Sequence, residues 1–561
     1  MSRPAEQHNM QGKLPAFLLF LVFLGLYALN WDVGYGGNFG KVFGDVALTA
    51  AERVQAGYIP YRDFWTMYAP GSFYLLALLF KLFGNHYIVS TVAASVLCSA
   101  AAGLSYLLIL DLLGRKWLAL VCAAVFFAAT YSTSYYLSLG PYPPTIFLVL
   151  FALYSMVHFY MSQRTAWLFA AGLATGTAIV FKHDVGGYTA IAITAGLLLA
   201  YVPHIRHPAT RNISPVSVVV VYASAVALVS VPVAVYFGIT AGADMWQDLI
   251  VFPATDFRFA RGEHYPELIP SNLLGDRWLR TLFNTLYYLQ FTLPFLMVVA
   301  SLAGMLIAVN RGKEKYIPVM ATFVIAYLFH YSSAHIQINT NIISMAVYGT
   351  MLGVITFDLA DRGMKPRART VLRTAGLAFA LVLFASYASK PFYSRLRGVT
   401  ESVVLTLPKV SGLRVSPGMR DTLTWLVSFI DSHVPPGKKI FVGLHRHDTV
   451  VIGDGKLYFI LDRGNATRQD QLHPGIVDTA KIQREMIRDL QRNNVEYLVI
   501  RHVFDDKALD KLRKIWSETL PESGATDLDN FIREHYQRLE SSGQYEIWER
   551  KESQAAGMAQ P

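Results

Sequence analysis

The chain has 561 residues, of which 53% are apolar and only 16% charged, where a soluble globular protein carries roughly a quarter charged residues. That shortage excludes an ordinary soluble enzyme, and 34 Phe with 31 Tyr exclude a disordered chain, which is poor in aromatics. A polytopic α-helical membrane protein remains, and the net charge of +10 takes its meaning from where the basic residues fall.

A spanning helix needs about 20 mostly apolar residues. Such runs lie near 14–30, 88–110, 117–136, 143–160, 165–181, 185–203, 214–240, 281–309, 316–332, 341–359 and 370–389. They predict about eleven transmembrane helices within a membrane domain of residues 1–389. The first run has no small-residue cleavage site before Trp31 and reads as an uncleaved signal anchor. Cytoplasmic loops retain positive charge. If Arg3 and Lys13 are inside, the inner connections hold Arg115, Lys116, Arg164, Arg206, Arg211, Arg311, Lys313, Lys315, Arg362, Lys365, Arg367 and Arg369, and the short outer ones hold only Lys182. The basic charge is then mostly topology, and no nucleic-acid partner is expected. The ionisable residues His158, His330, Asp358 and Arg373 fall near span ends, which leaves no ion path through the middle of the bundle. Cys98 and Cys122 lie in apolar runs and offer no disulfide framework or zinc site.

Three outer segments are too long to be turns: residues 31–87, 241–280 and the C-terminus from 390. Residues 390–561 predict a soluble extracytoplasmic α/β domain, with apolar stretches at Lys439 to Leu444, Leu457 to Leu461, Val495 to Ile500 and Tyr545 to Trp548, and helical patterns at Asp478 to Arg492 and Leu528 to Leu539. In the first outer loop an amphipathic helix is expected from Asp45 to Ala56, with Asp45 as its cap and Gly57 as its stop. A second apolar helix, Gly71 to Phe83, is too short to span comfortably and reads as interfacial.

These residues carry a resemblance. An outer-face acid opening a juxtamembrane helix (Asp45), a Gly-x-x-Pro-Tyr turn (Gly57 to Tyr61) and a Pro-Gly pair (Pro70, Gly71) before a short apolar helix are similar to the GT-C superfamily. Its members are polytopic glycosyltransferases that use sugars linked to polyprenyl phosphate, such as protein mannosyltransferases and aminoarabinose transferases of lipid A. The specific part covers residues 44–74 and 181–188, and the layout covers the first 390 or so. The resemblance implies a GT-C-like fold, a bacterial inner-membrane location with the N-terminus cytoplasmic and the C-terminal domain periplasmic or extracellular, a polyprenyl-phosphate sugar donor, and a lipid, polysaccharide or protein acceptor. It gives Asp45 the part of catalytic base or acceptor-binding group. Many members carry two adjacent acids there, whereas Gly44 and Val46 flank Asp45.

The chemistry fits these residues. An acceptor hydroxyl attacking an anomeric carbon needs one carboxylate to take its proton. A phosphate leaving group departs without protonation and gains more from a nearby cation. Lys182, in Phe181-Lys182-His183-Asp184, is the candidate for the lipid phosphate, with His183 and Asp184 orienting it or touching sugar. Each has a plainer reading: Asp45 as a cap, Lys182 snorkelling to the interface, Asp184 as a local ion-pair partner. Asp63, beside Arg62, is a substrate candidate or a loop-shaping acid. Arg258 and Arg261 offer bidentate phosphate contacts or headgroup anchoring, and His335 with Gln337 offer sugar or phosphate contacts from a short outer loop. No clustered metal-ligand spacing or nucleotide-binding loop is present, so no cofactor and no metal site are expected. The rival functions are a secondary transporter or lipid flippase, for which paired broken helices are expected, and a non-catalytic protein of GT-C-like build.

Overall fold

The computed structural model describes residues 4–29, 31–32, 44–203, 205, 207, 213–257, 278–334, 338–448, 453–473, 475–502 and 523–551. Every expected span coincides with a helix: Pro4–Ala28, Tyr87–Leu113, Lys116–Tyr131, Tyr142–Ser162, Thr165–Phe181, His183–Leu199, Pro215–Ala241, Trp278–Asn310, Ile317–Ser332, Ile338–Asp361 and Pro366–Thr400. Among the described residues six helices are long and apolar enough to cross a membrane. Lys116–Tyr131, Thr165–Phe181, His183–Leu199 and Ile317–Ser332 have 16 or 17 residues, short of the ~20 of a full crossing.

The bundle core is continuous from Tyr27 and Phe127 through Leu153 and Phe323 to Ile355 and Tyr387. Outer helices instead expose large apolar side chains, among them Ile239, Leu306 and Val371. In water such a girdle would aggregate, and against lipid it is the expected surface. At one end of the bundle Arg115 and Arg362 converge on buried Asp358, with Arg115 Nε 3.2 Å and Arg362 Nε 2.7 Å away, and Arg373 grips Asp361 at 2.9 Å. Arg115, at the start of one helix, and Arg362 and Arg373, at and after a single connection, therefore gather at this end.

The first outer loop forms helices Gly44–Gln55 and Gly71–Phe83, which pack on each other. Asp45 is the second helical residue rather than the residue preceding the helix, so it belongs to the first turn, where the helix dipole favours an acid. Its side chain lies outside the described residues. Between the helices, Gly57 has φ 86° and Tyr61 has φ 68°, a region costly for a residue with a side chain. Tyr61 is held there by its amide on Phe64 O (2.9 Å) and its hydroxyl on Tyr68 O (2.8 Å), with the ring packed edge-on against Phe237.

Residues 403–551 carry two sheets. Strands β1 (Val403–Val404) and β2 (Arg414–Val415) form an antiparallel pair. Strands β3 (Lys439–Leu444), β4 (Gly464–Asn465), β5 (Tyr497–Arg501), β6 (Tyr536–Ser542) and β7 (Tyr545–Arg550) form a sheet in the order β4-β3-β5-β7-β6. The β3 strand is parallel to both neighbours, whereas β7 runs antiparallel to β5 and β6. Helices Pro417–His433, Ala480–Arg492 and Asp527–His535 accompany it.

Three expectations need correction. The boundary expected at 389/390 falls inside the Pro366–Thr400 helix. Leu457 to Leu461 is a short helix, Lys456–Leu461, not a strand. The run is buried on all sides, and a fully buried apolar stretch carries no periodicity to separate helix from strand. The pattern from Leu528 to Leu539 divides into a helix ending at His535 and strand β6 starting at Tyr536. The C-terminal part has a core cluster of its own, with Phe441, Met486, Leu498 and Leu528, and shares a second with the first-loop helices, where Leu48, Phe73 and Phe80 pack with Leu457, Phe459 and Val499.

Candidate active site

Lys182 sits alone, in extended backbone (φ −151°, ψ 100°), between the helices that end at Phe181 and begin at His183. The hairpin closes tightly because Gly186 has no side chain. A Cβ there would stand 2.5 Å from Ile179 N. Asp184 lies in the first turn of the second helix, accepting from Val185 N at 2.8 Å through Oδ1 and from Lys182 Nζ at 2.8 Å through Oδ2. Lys182 is only 6% exposed, and its ammonium also stands 5.3 Å from the centre of the Tyr142 ring. It is a buried, paired cation, not a snorkelling one.

Around it Tyr136, Tyr142, Thr145, His330, Asn341 and Ser344 line a cavity of ≈ 10 Å³, barely the room of one water. His330, fully buried, places Nδ1 2.8 Å from Asn341 Oδ1. Asn341 Nδ2 donates to Ser333 O at 3.1 Å, which orients the amide and makes Nδ1 of His330 the donor. The other ring nitrogen, Nε2, is buried without a hydrogen-bond partner among the described residues. Nδ1 of His183 is likewise buried without one. An unpaired buried polar atom is costly, so His330, which lines the cavity beside Lys182, has a ring nitrogen open to an added polar group; His183 is not part of that lining.

The first loop reaches this junction through Gly71: a Cβ on it would lie 2.8 Å from Val180 O and 3.1 Å from the Phe181 ring. The Gly44–Gln55 helix packs against the Gly71–Phe83 helix, so the element bearing Asp45 and the Lys182 junction belong to one assembly of helices. Asp63 lies elsewhere, in a second and larger cleft. It accepts from Ile59 N at 2.7 Å and from Arg62 at 2.9 and 2.8 Å. The Arg62 guanidinium holds its carboxyl below the usual carboxylate range, which is the loop-shaping part. Arg258, Arg261, His335 and Gln337 lie outside the described residues. Sequence reading did not select His330 and Asn341. Their only signal was polar residues at the ends of apolar runs. Among the described residues no three His, Cys, Asp or Glu side chains are grouped to hold a metal.

No family model and no curated protein sequence matches the chain. Solved structures do. ArnT from Cupriavidus metallidurans bound to undecaprenyl phosphate is 12% identical with a TM-score of 0.52, covering 96% of this chain and 98% of that one. The same protein in the apo state is 13% identical, again with a TM-score of 0.52, over 97% and 99%. Arabinosyltransferase EmbB from Mycobacterium smegmatis is 16% identical over 68% of this chain and 37% of that one, with a TM-score of 0.41. The likeness to ArnT is one of fold and runs nearly end to end. The chain is thus a polytopic helical membrane protein with a fold similar to that of ArnT.

Proposed function

We propose that the protein is an inverting membrane glycosyltransferase that moves a sugar from a polyprenyl-phosphate donor to an acceptor on the outer face of a bacterial inner membrane. Eleven helices cross the bilayer in this reading, with the N-terminus cytoplasmic and the C-terminal α/β domain outside. Asp45 takes the proton of the acceptor hydroxyl as it attacks the anomeric carbon, and the donor's C–O bond to phosphate breaks. The phosphate leaves as an anion and meets Lys182, assisted by His330 Nε2 and by Arg258 or Arg261. Asp184 holds the lysine in place, His183 lies beside it, and His335 with Gln337 contact the donor from the adjoining outer loop. Asp63 shapes the acceptor side.

The observation that carries this reading is the buried Lys182, held by Asp184 at 2.8 Å beside an unpaired imidazole nitrogen, in a fold similar to one crystallised with undecaprenyl phosphate. A carrier moving an ion or solute would need charged groups at mid-membrane, whereas Asp358 and Asp361 are gathered with arginines at helix ends. The test is to incubate the purified protein in lipid nanodiscs with a panel of polyprenyl-phosphate sugars and follow free polyprenyl phosphate by mass spectrometry. Release dependent on an acceptor extract supports the reading. Absence of release with every donor, together with counterflow of a labelled solute in proteoliposomes, contradicts it.

A further inference from the structure

A cleft of ≈ 700 Å³ separates the first outer loop from the C-terminal α/β part, and the Lys182 cavity shares none of its lining. Its size is that of a small-ligand site. Its two walls are stapled together. Arg53 Nη2 reaches Asp470 Oδ1 at 2.7 Å and Thr467 O at 3.0 Å, Trp65 N donates to Arg468 O at 2.9 Å, and Lys409 joins Glu52 to Asp462. The space is therefore preformed, and filling it costs little ordering.

The lining is polar but not evenly so. Six cations, Arg53, Arg62, Lys439, Arg463, Arg468 and Arg492, face four acids, Glu52, Asp63, Asp462 and Asp489. Five of the six are engaged, with Asp470, Asp63, Asp431, Asp248 and Asp489 respectively for Arg53, Arg62, Arg463, Arg468 and Arg492. Lys439 has no ion pair among the described residues; its ammonium lies 5.9 Å from the centre of the Tyr58 ring. That ring is 37% exposed and is flanked also by Arg53 at 5.8 Å. A partly exposed aromatic ring beside an ammonium without an ion pair, inside a pocket of fixed hydrogen-bonding groups, is the chemistry that holds a sugar ring bearing a negative substituent. The ring's C–H face packs on the tyrosine and the anion meets the lysine.

We infer that this cleft binds an anionic oligosaccharide, with Tyr58 as the platform and Lys439 as the charge partner. Glu52, in its wall, lies two turns after Asp45 on the same helix, about 10 Å along the axis. On the proposed glycosyltransferase reading, the cleft thus holds the part of an acceptor glycan remote from the hydroxyl that reacts.

The test uses the full chain in nanodiscs and tetragalacturonate as probe, with maltotetraose and tetraglutamate as controls, by microscale thermophoresis. Saturable binding of tetragalacturonate, weakened about tenfold by Tyr58→Ala and by Lys439→Ala, retained in Tyr58→Phe and unaffected by Lys182→Ala, is expected. Absence of binding, or binding indifferent to both alanine variants, overturns the site. Equal binding of maltotetraose overturns the anionic assignment, and equal binding of tetraglutamate overturns the carbohydrate one. Thermal melts of the variants, and their binding of undecaprenyl phosphate, establish that fold and donor site survive, so this proposal can fail while the glycosyltransferase reading stands.

Discussion

Lys182 and Asp184 face one another across the break between two apolar helices, with Nζ 2.8 Å from Oδ2. The pair holds the lysine at the break between the helices, and leaves its ammonium two further protons to donate. On the proposed reading a lipid phosphate meets this existing pair, and the cavity of ≈ 10 Å³ must widen to admit it.

Lys182→Ala should therefore weaken binding of undecaprenyl phosphate and lower turnover about 10²-fold, the usual cost of one preorganised charge donor. Lys182→Arg should restore part of both, because the charge returns in a bulkier form. Native mass spectrometry of lipid-bound protein checks the first effect and product release the second. Equal lipid occupancy in wild type and Lys182→Ala would place the phosphate elsewhere.

The His330 ring bears its proton on Nδ1, toward Asn341. Its Nε2 must take up a proton before it can donate to a phosphate oxygen. His330→Ala is expected to lower donor affinity about tenfold, and Asn341→Leu to lower it by less, since the ring remains but loses its orientation. Isothermal titration in buffers of different ionisation enthalpy reads the proton uptake directly. Wild type should absorb a fraction of a proton on binding that His330→Ala does not.

Gly71→Ala places a methyl group against Val180 O and Phe181. Helix Gly71–Phe83 must then shift away from the Lys182 junction. A loss of about 1–3 kcal/mol is expected, seen as a lowered melting temperature with reduced turnover in the surviving folded protein. The first loop is too tightly docked here for the substitution to be silent, so unchanged melting and turnover would contradict the packing described.

Asp248 ties the 241–257 segment to the C-terminal part: Arg468 Nη2 stands 3.0 Å from its Oδ2 and 3.4 Å from Asp244 Oδ2, and also donates to Tyr61 O. Burial raises the Asp248 carboxyl to about 7 against the pull of Arg468, with Asp244 adding to the rise. Its unfolded value is near 3.9. The folded state thus binds more protons, and this group's stabilising share is complete below about pH 4, declines as pH rises toward 7, and is constant above that. Differential scanning fluorimetry from about pH 5 to pH 8 should show the wild type losing stability relative to Asp248→Asn as pH rises. Parallel curves would exclude the shift.

Much of this was legible in the amino acids, for reasons that differ by region. Lipid imposes a local rule, one apolar helix per crossing, so runs such as 88–110 and 214–240 could be located without tertiary knowledge. The Phe181-Lys-His-Asp stretch stood out in the sequence because a lysine among apolar helices has few explanations, and the structure buries that lysine at a helix break. His330 and Asn341 were not, since nothing in sequence connects them to a lysine some 150 positions earlier. The Lys456–Leu461 helix was misread because burial on every side erases periodicity. The shared core of Phe73, Phe80 and Phe459 was hidden for a related reason: an amphipathic loop helix shows that it needs a partner but not which one. The cleft between the two parts was consequently invisible as well.

Everything in the catalytic account turns on proton removal by Asp45. The decisive measurement compares wild type with Asp45→Asn, reconstituted at equal concentration in nanodiscs with the active polyprenyl-phosphate sugar and acceptor, following free polyprenyl phosphate by mass spectrometry. The account predicts a fall of at least about 10²-fold, with donor binding and melting temperature unchanged, because asparagine keeps the shape and loses only the base. Turnover at the wild-type rate would contradict it and return Asp45 to the helix end as a structural residue.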